Sequence, residues 1–383
     1  MLQPIIIVGA GLAGYQLAKE FRKLDTTTPL IILTADDGRY YSKPLLSTAL
    51  TNGKTPDLLH TASSDMMAQQ LNAMIHTHVT VTAIDTVQCC VVANDEKFSY
   101  SKLVLACGAD VIKPQLAGDA VDDVLSINHI YHYTEFRDLI QNKKRIAILG
   151  AGLIGSEFAN DLSNAEYDVH VIALGSAPLD LLVPPEVGKL LQAALESNGV
   201  HFHFNTTVNA VDKMENDVYC LELSNGSELE VDFVLSAIGL RPHVALAQQA
   251  RLNVNRGIVV NRYLETSEKE IYALGDCAEV EGHVLPYIAP LLSCSRALAH
   301  TLAGNRTAVD YPAMPVVVKT PAHPVVVCPP PKNTEGAWKI ENDENNVRAL
   351  FYDKKNVLRG FVLTNNAVKE RAVLAKQLPG LLT

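Results

Sequence analysis

The sequence predicts an α/β chain that builds one strand–loop–helix unit twice and closes with a small α+β segment. Three observations predict it. PIIIVGAGLAGYQLAK (4–19) and RIAILGAGLIGSEFAN (145–160) are near copies of each other. Downstream of them lie a second matching pair, HTHVTVTAID (76–85) and HFNTTVNAVD (203–212). Each copy then ends on an apolar run leading into glycine, KLVLACGAD (102–110) and DFVLSAIGLRP (232–242). The period is far too long for a solenoid. It reads as two nested Rossmann-like domains of three layers, each with an added antiparallel sheet.

The first element of each copy is a β-branched run, Ile5 to Val8 and Ile146 to Leu149, as expected of a buried parallel strand. Next come G-x-G-x-x-G loops: Gly9, Ala10, Gly11, Leu12, Ala13, Gly14, and Gly150, Gly152, Leu153, Ile154, Gly155. In such a loop the first glycine permits the tight turn, the second lets a pyrophosphate approach the backbone, and the third lets the helix pack on the strand. The helix start adds unpaired N–H groups and a positive dipole end. One such loop is weak evidence, since it also serves as a plain strand-to-helix turn. A strand before and a helix after, in both copies, supplies the context the motif requires.

The second strand of the first copy, PLIILTADD (29–37), ends in acids. Asp36, with backbone from Thr34 and Ala35, is the candidate for a ribose hydroxyl; the alternative is a turn aspartate. In the second copy YDVHVIALG (167–175) ends without an acid and without an Arg or Lys cluster. A 2′-phosphate would lack a partner there, which favours NADH over NADPH by absence alone. The small sheets follow, with hairpin turns at Asn94-Asp95 and Asn225-Gly226.

Composition narrows the class. The 383 residues are 48% apolar and carry a net charge of −10, which argues against nucleic acid as partner. No apolar run reaches the roughly 18 residues of a membrane span, and the start of the chain does not read as a signal peptide. The seven cysteines contain no C-x-x-C, so neither a redox dithiol of that type nor a metal site of that spacing is indicated. They read as structural thiols in a reducing, cytoplasmic compartment. Cys89-Cys90 reads as a strand pair pointing to opposite faces.

A third signal lies at TSEKEIYALGDCAE (266–279). It resembles the second FAD fingerprint of the two-dinucleotide flavoprotein reductases, in which the aspartate after the strand, here Asp276 after Gly275, accepts hydrogen bonds from the flavin's sugar-alcohol chain. A helix is expected from about Pro290, with Ile288 in its approach. The resulting order is an FAD-binding domain (1–110 and 240–313), an inserted NADH-binding domain (111–239) linked at Gly108 and Gly239, and a C-terminal domain (314–383).

Four stretches, TADDGRYYSKPLLSTAL (34–50), GAGLIGSEFANDLS (150–163), NRGIVVNRYLETSEKEIYALGDCAEV (255–280) and MPVVVKTPAHPVVVCPPP (314–331), resemble the bacterial rubredoxin reductases, and the resemblance runs over essentially the whole chain. It implies non-covalent FAD, NADH as donor, and rubredoxin as a transient one-electron acceptor, as in bacterial alkane hydroxylation. It also implies that Lys43, followed by Pro44, lies by the flavin's reacting nitrogen and pairs with Glu157 of the NAD helix. By the same resemblance Lys319 reaches the flavin from the C-terminal domain, and Val81 and Gly108 line the adenine or flavin side. The alternatives are a ferredoxin reductase of an oxygenase system, a flavin-binding redox sensor, and an NADH oxidase or peroxidase. The last would need a cysteine near Ser42, which the chain lacks.

Overall fold

The computed structural model describes residues 3–343 and 346–382. Its first sheet orders the strands Ile271–Ala273, Lys102–Leu105, Ile5–Val8, Leu30–Leu33 and Met74–His76, all parallel. Its second orders Leu125–Ser126, Phe233–Ser236, Arg145–Leu149, Asp168–Ala173 and Val200–Phe204, again all parallel. In both, the glycine-loop strand is central, flanked by its successor and by the strand that closes the unit. Ile5–Val8 is buried along its whole length, which is why it reads as a continuous rather than an alternating apolar run.

The added sheets repeat as closely. Val81–Asp85, Cys90–Ala93 and Glu96–Ser99 form one, and Val208–Lys213, Tyr219–Leu223 and Glu228–Val231 the other, both antiparallel. Each has a register shift at the same place, between Val81 and Ala83 and between Val208 and Ala210. The hairpin at Asn94-Asp95 has both residues at positive φ, 45° and 66°, as a two-residue turn of that twist demands.

Ile271–Ala273 returns the chain to the first sheet after the inserted unit. The two passages between the units, Ala109–Val111 and Leu240–Pro242, pair antiparallel, so they cross as one stitched ribbon. The C-terminal segment is a five-stranded antiparallel sheet, ordered Val316–Val318, Val325–Cys328, Leu358–Thr364, Asn346–Asp353, Gly336–Asp343, followed by the helix Arg371–Gln377. It is not a free appendage: Val318, Val325 and Val362 share one apolar core with Leu46 of the first unit and Ile148 and Phe158 of the inserted one.

Two expectations are corrected. The helix expected from Pro290 spans Ile288–Leu302, so Ile288 opens it and Pro290 sits in its first turn, where a missing N–H breaks no intrahelical bond. Cys89 is not in a strand. The Asp85 carboxylate accepts the Val87 and Gln88 N–H groups at 3.1 and 2.9 Å, closing a turn that leaves Cys89 exposed at φ 49° while the strand starts at Cys90.

The third glycine of each loop is fixed by close approach. A Cβ on Gly14 would stand 2.0 Å from the Gly9 carbonyl oxygen, and one on Gly155 2.0 Å from that of Gly150. Gly155→Ala is therefore expected to cost about 1–3 kcal/mol of stability through overpacking, measured in urea unfolding. An unchanged midpoint would mean that helix and strand are not held this closely.

Candidate functional site

A cavity of about 2040 Å³ opens at the carboxyl ends of both parallel sheets and is lined by all three parts of the chain. That is about twice the upper size of a pocket for one drug-sized ligand, and its place at strand ends is where open α/β sheets bind ligands. Gly9, Ala10, Gly11, Leu12, Ala13, Thr34, Ala35, Asp36, Lys43, Pro44, Val81, Gly108 and Asp276 line it from the first unit. Gly150, Gly152, Leu153, Ile154, Glu157 and Gly239 line it from the inserted unit, together with Ile288 and Lys319. Gly14, Gly155 and Gly275 do not. They hold backbone together behind the wall: a Cβ on Gly275 would meet that of Ala13 at 2.8 Å. Gly11 and Gly152 have nothing within 4 Å of where a Cβ would stand. Each loop thus offers bare backbone to the cavity at the start of its helix, as a pyrophosphate requires.

Asp36 is a turn aspartate and a cavity wall at once. Its Oδ1 accepts the Thr34 hydroxyl at 2.6 Å and the Gly38 N–H at 3.0 Å. Lys43 and Asp276, both half-buried in the cavity wall, feel each other's charge. Burial pushes the Lys43 ammonium below the ordinary lysine value, opposed by Asp276 and Asp36. Burial also lifts the Asp276 carboxyl above the ordinary aspartate value, opposed by Lys43.

The expected Lys43–Glu157 pair does not form. Glu157 pairs with Lys319: the ammonium contacts Oε2, and the Lys319 backbone N–H donates to Oε1 at 3.0 Å. The Ser47 hydroxyl donates to Oε2 at 2.6 Å and receives the Lys319 ammonium at 3.0 Å. Lys319 wins because it brings both an ammonium and a backbone donor to a carboxylate only 5% exposed. Lys43 is held elsewhere, donating at 3.1 Å to the Asn128 side-chain oxygen, while the Asn128 amide donates at 2.7 Å to the Ala109 carbonyl in the linker ribbon.

Sequence reasoning passed over several of these partners. Asp161 accepts the Leu50 and Thr51 N–H groups at 3.0 and 2.8 Å, and Asn160 accepts the Ala322 N–H at 3.1 Å. With Glu157 they stand at i, i+3 and i+4 on the helix Leu153–Asn164, hence on one face. Three polar residues at that spacing beside Phe158 and Leu162 were the available signal.

Comparison with known proteins agrees with this geometry. A family model described as pyridine nucleotide-disulphide oxidoreductase matches residues 3–301. The chain belongs to that family. Membership makes it an oxidoreductase that works with flavin and NAD(H), although all seven of its cysteines are free. A second model, described as rubredoxin binding C-terminal domain, matches residues 308–378. The rubredoxin-NAD(+) reductase of Alcanivorax borkumensis is 51% identical over 381 residues, covering 100% of both chains. That of Acinetobacter baylyi is 44% identical, covering 100% of this chain and 99% of its own. Among solved structures, a ferredoxin reductase from Rhodopseudomonas palustris superposes with a TM-score of 0.89 at 24% identity, over 99% of this chain and 96% of its own. The resemblance and fold class read from the sequence are borne out. Among the described residues no helix is long and apolar enough to cross a membrane.

The cavity wall also holds a pH-sensitive cap. His129 Nδ1 accepts the His132 N–H at 3.4 Å, capping the helix Ile130–Leu139. Burial, His132 and Lys43 push His129 down to about 4. An unfolded histidine takes up its proton near 6.5. Between those values the unfolded state binds more protons, so this contribution is full above pH 6.5 and is lost as pH falls toward 4. His129→Asn, which keeps an N-cap oxygen, should flatten the fall in urea midpoint between pH 7.5 and 5. Equal slopes in variant and wild type would remove His129 as a source.

Proposed function

We infer that this chain is an NADH-dependent reductase that holds FAD non-covalently in its first unit (1–110 and 240–313), receives NADH in its inserted unit (111–239), and passes single electrons to rubredoxin. The observation that carries this is the joint one. A single cavity touches two glycine loops, and its third wall, Met314, Pro315, Val316, Val317 and Lys319, lies in the segment that matches a rubredoxin-binding domain. The full-length likeness to relatives named rubredoxin-NAD(+) reductase supports the same acceptor.

The residues present fit a flavin dinucleotide. Gly9, Gly11 and the start of the helix Leu12–Arg22 would hold its pyrophosphate, Asp36 its ribose, and Asp276 its sugar-alcohol hydroxyls. Gly150 and Gly152 would do the same for the pyrophosphate of NADH. When bound, a flavin accepts two electrons together and yields them one at a time, which a single-iron acceptor needs. The chain's own part is electrostatic. Lys43 keeps a positive charge in the cavity wall. The helix Ile288–Leu302 opens at the cavity with its positive end, where negative charge is favoured. Lys319, held by Glu157, contributes a second ammonium from the C-terminal domain. Free thiols throughout suit a reducing cytoplasm, and a place in alkane hydroxylation rests on the family resemblance of the four quoted stretches.

Anaerobic stopped-flow tests the reading. The NADH-reduced holoprotein mixed with oxidised rubredoxin should reduce two iron centres per NADH consumed, and a two-iron ferredoxin should react far more slowly. Preference for the ferredoxin, or no reduction of rubredoxin, would contradict it.

A further inference from the structure

The inserted unit has Ala173-Leu174-Gly175 where a ribose-binding acid ordinarily ends the second strand. The loop that follows brings an acid back to that place. Leu179 stands in the left-handed region at φ 59°, with its side chain buried. A leucine there is costly. It is held by burial and by its N–H, which donates at 2.9 Å to the Ala151 carbonyl inside the second glycine loop. The next residue, Asp180, is thereby folded back over the strand end. Its Oδ2 lies 2.0 Å from where a Cβ on Gly175 would stand, and accepts the Ser176 N–H at 3.3 Å. Glycine at 175 therefore leaves room for a carboxylate, since its φ is not one that only glycine adopts. Among the described residues Asp180 Oδ1 has no hydrogen-bond partner.

Asp180 and Gly175 line the cavity next to Gly150, Ala151 and Gly152. Leu174 and Leu181 flank them on the cavity lip, 75% and 93% exposed, an apolar pair suited to the faces of a purine. The only Lys and Arg side chains lining the cavity, among the described residues, are Arg39, Lys43 and Lys319. None belongs to the inserted unit, and Arg39 is paired with Asp37.

We propose that Asp180 selects NADH over NADPH: its carboxylate accepts the adenosine ribose 2′-hydroxyl and repels a 2′-phosphate at the same position. The assignment rests on the reading that the inserted unit receives the nicotinamide dinucleotide. It supplies from a downstream loop the acid that the strand end lacks, and it replaces selection by mere absence of a cation with selection by charge.

The test uses the flavin-loaded protein, Asp180→Ala and Asp180→Asn. Calorimetry reads the Kd of ADP-ribose and of 2′-phospho-ADP-ribose, and steady-state assays read KM and kcat for NADH and NADPH. Loss of a hydrogen bond to a charged acceptor should weaken ADP-ribose about tenfold in Asp180→Ala, with KM for NADH rising in step and kcat moving less. Asp180→Asn keeps an oxygen for Ser176 and for ribose but loses the charge. It should lose less ADP-ribose affinity than the alanine variant while tightening the 2′-phosphorylated ligand. ADP-ribose and 2′-phospho-ADP-ribose affinities within twofold of wild type in both variants would overturn the assignment. Failure of the wild type itself to bind ADP-ribose would instead remove the reading of the inserted unit, and the assignment with it.

Discussion

The Glu157 carboxylate is 5% exposed and takes donors from three directions: the Ser47 hydroxyl, the Lys319 ammonium and the Lys319 backbone N–H. A carboxylate removed from water costs several kcal/mol unless it is paired and hydrogen-bonded. Satisfying this one forces three pieces of chain to meet: the turn Lys43–Thr48, the helix behind the second glycine loop, and the end of the strand Val316–Val318. Asn160 and Asp161, on the same face of that helix, make the arrangement harder to slip. Each accepts backbone N–H groups from a different neighbour, Ala322 on one side and Leu50 and Thr51 on the other. The cavity walls inherit their relative positions from this buried polar face and from the apolar core beneath it.

That constraint explains why the site is one cavity rather than two clefts. The ribbon of Ala109–Val111 and Leu240–Pro242 ties the units at their crossing, and Asn128 links the ribbon to Lys43. The glycine loops are thereby turned toward a shared space, with Lys43, Lys319 and Asp276 set into its wall. The segment that matches a rubredoxin-binding domain shares its core with the inserted unit and sets Lys319 into the cavity wall. The inserted unit and the C-terminal segment are therefore packed against one another around the wall residues.

How legible all this was depends on what each residue reports. Gly9 and Gly14 announce their roles because a side chain on either would strike backbone, whereas Gly11 does so only by leaving bare backbone at the cavity. The paired stretches around Val81 and Val208 were readable as a repeat, but the register shift they share was not, because it lies in the pairing and not in the residue pattern. Lys43 and Glu157 were recognisable as wall residues, but their pairing was not. Sequence shows two lysines and cannot show that Lys319 also delivers a backbone N–H to the same carboxylate. Cys89 was misread because an alternation pattern does not reveal that Asp85, four residues earlier, closes an Asx turn. Asp180 was invisible for a similar reason: it reaches the strand end only through a left-handed leucine, and no spacing rule marks one.

The most direct test of the three-way junction is a double-mutant cycle on Glu157→Gln and Lys319→Met, with stability read by urea unfolding. Lys319→Met leaves the buried Glu157 carboxylate without its ammonium, Glu157→Gln leaves the part-exposed Lys319 without its counter-charge, and the double change leaves neither charge unpaired. A coupling energy of about 1 kcal/mol or more is predicted. Additive effects, agreeing within about 0.5 kcal/mol, would contradict the account.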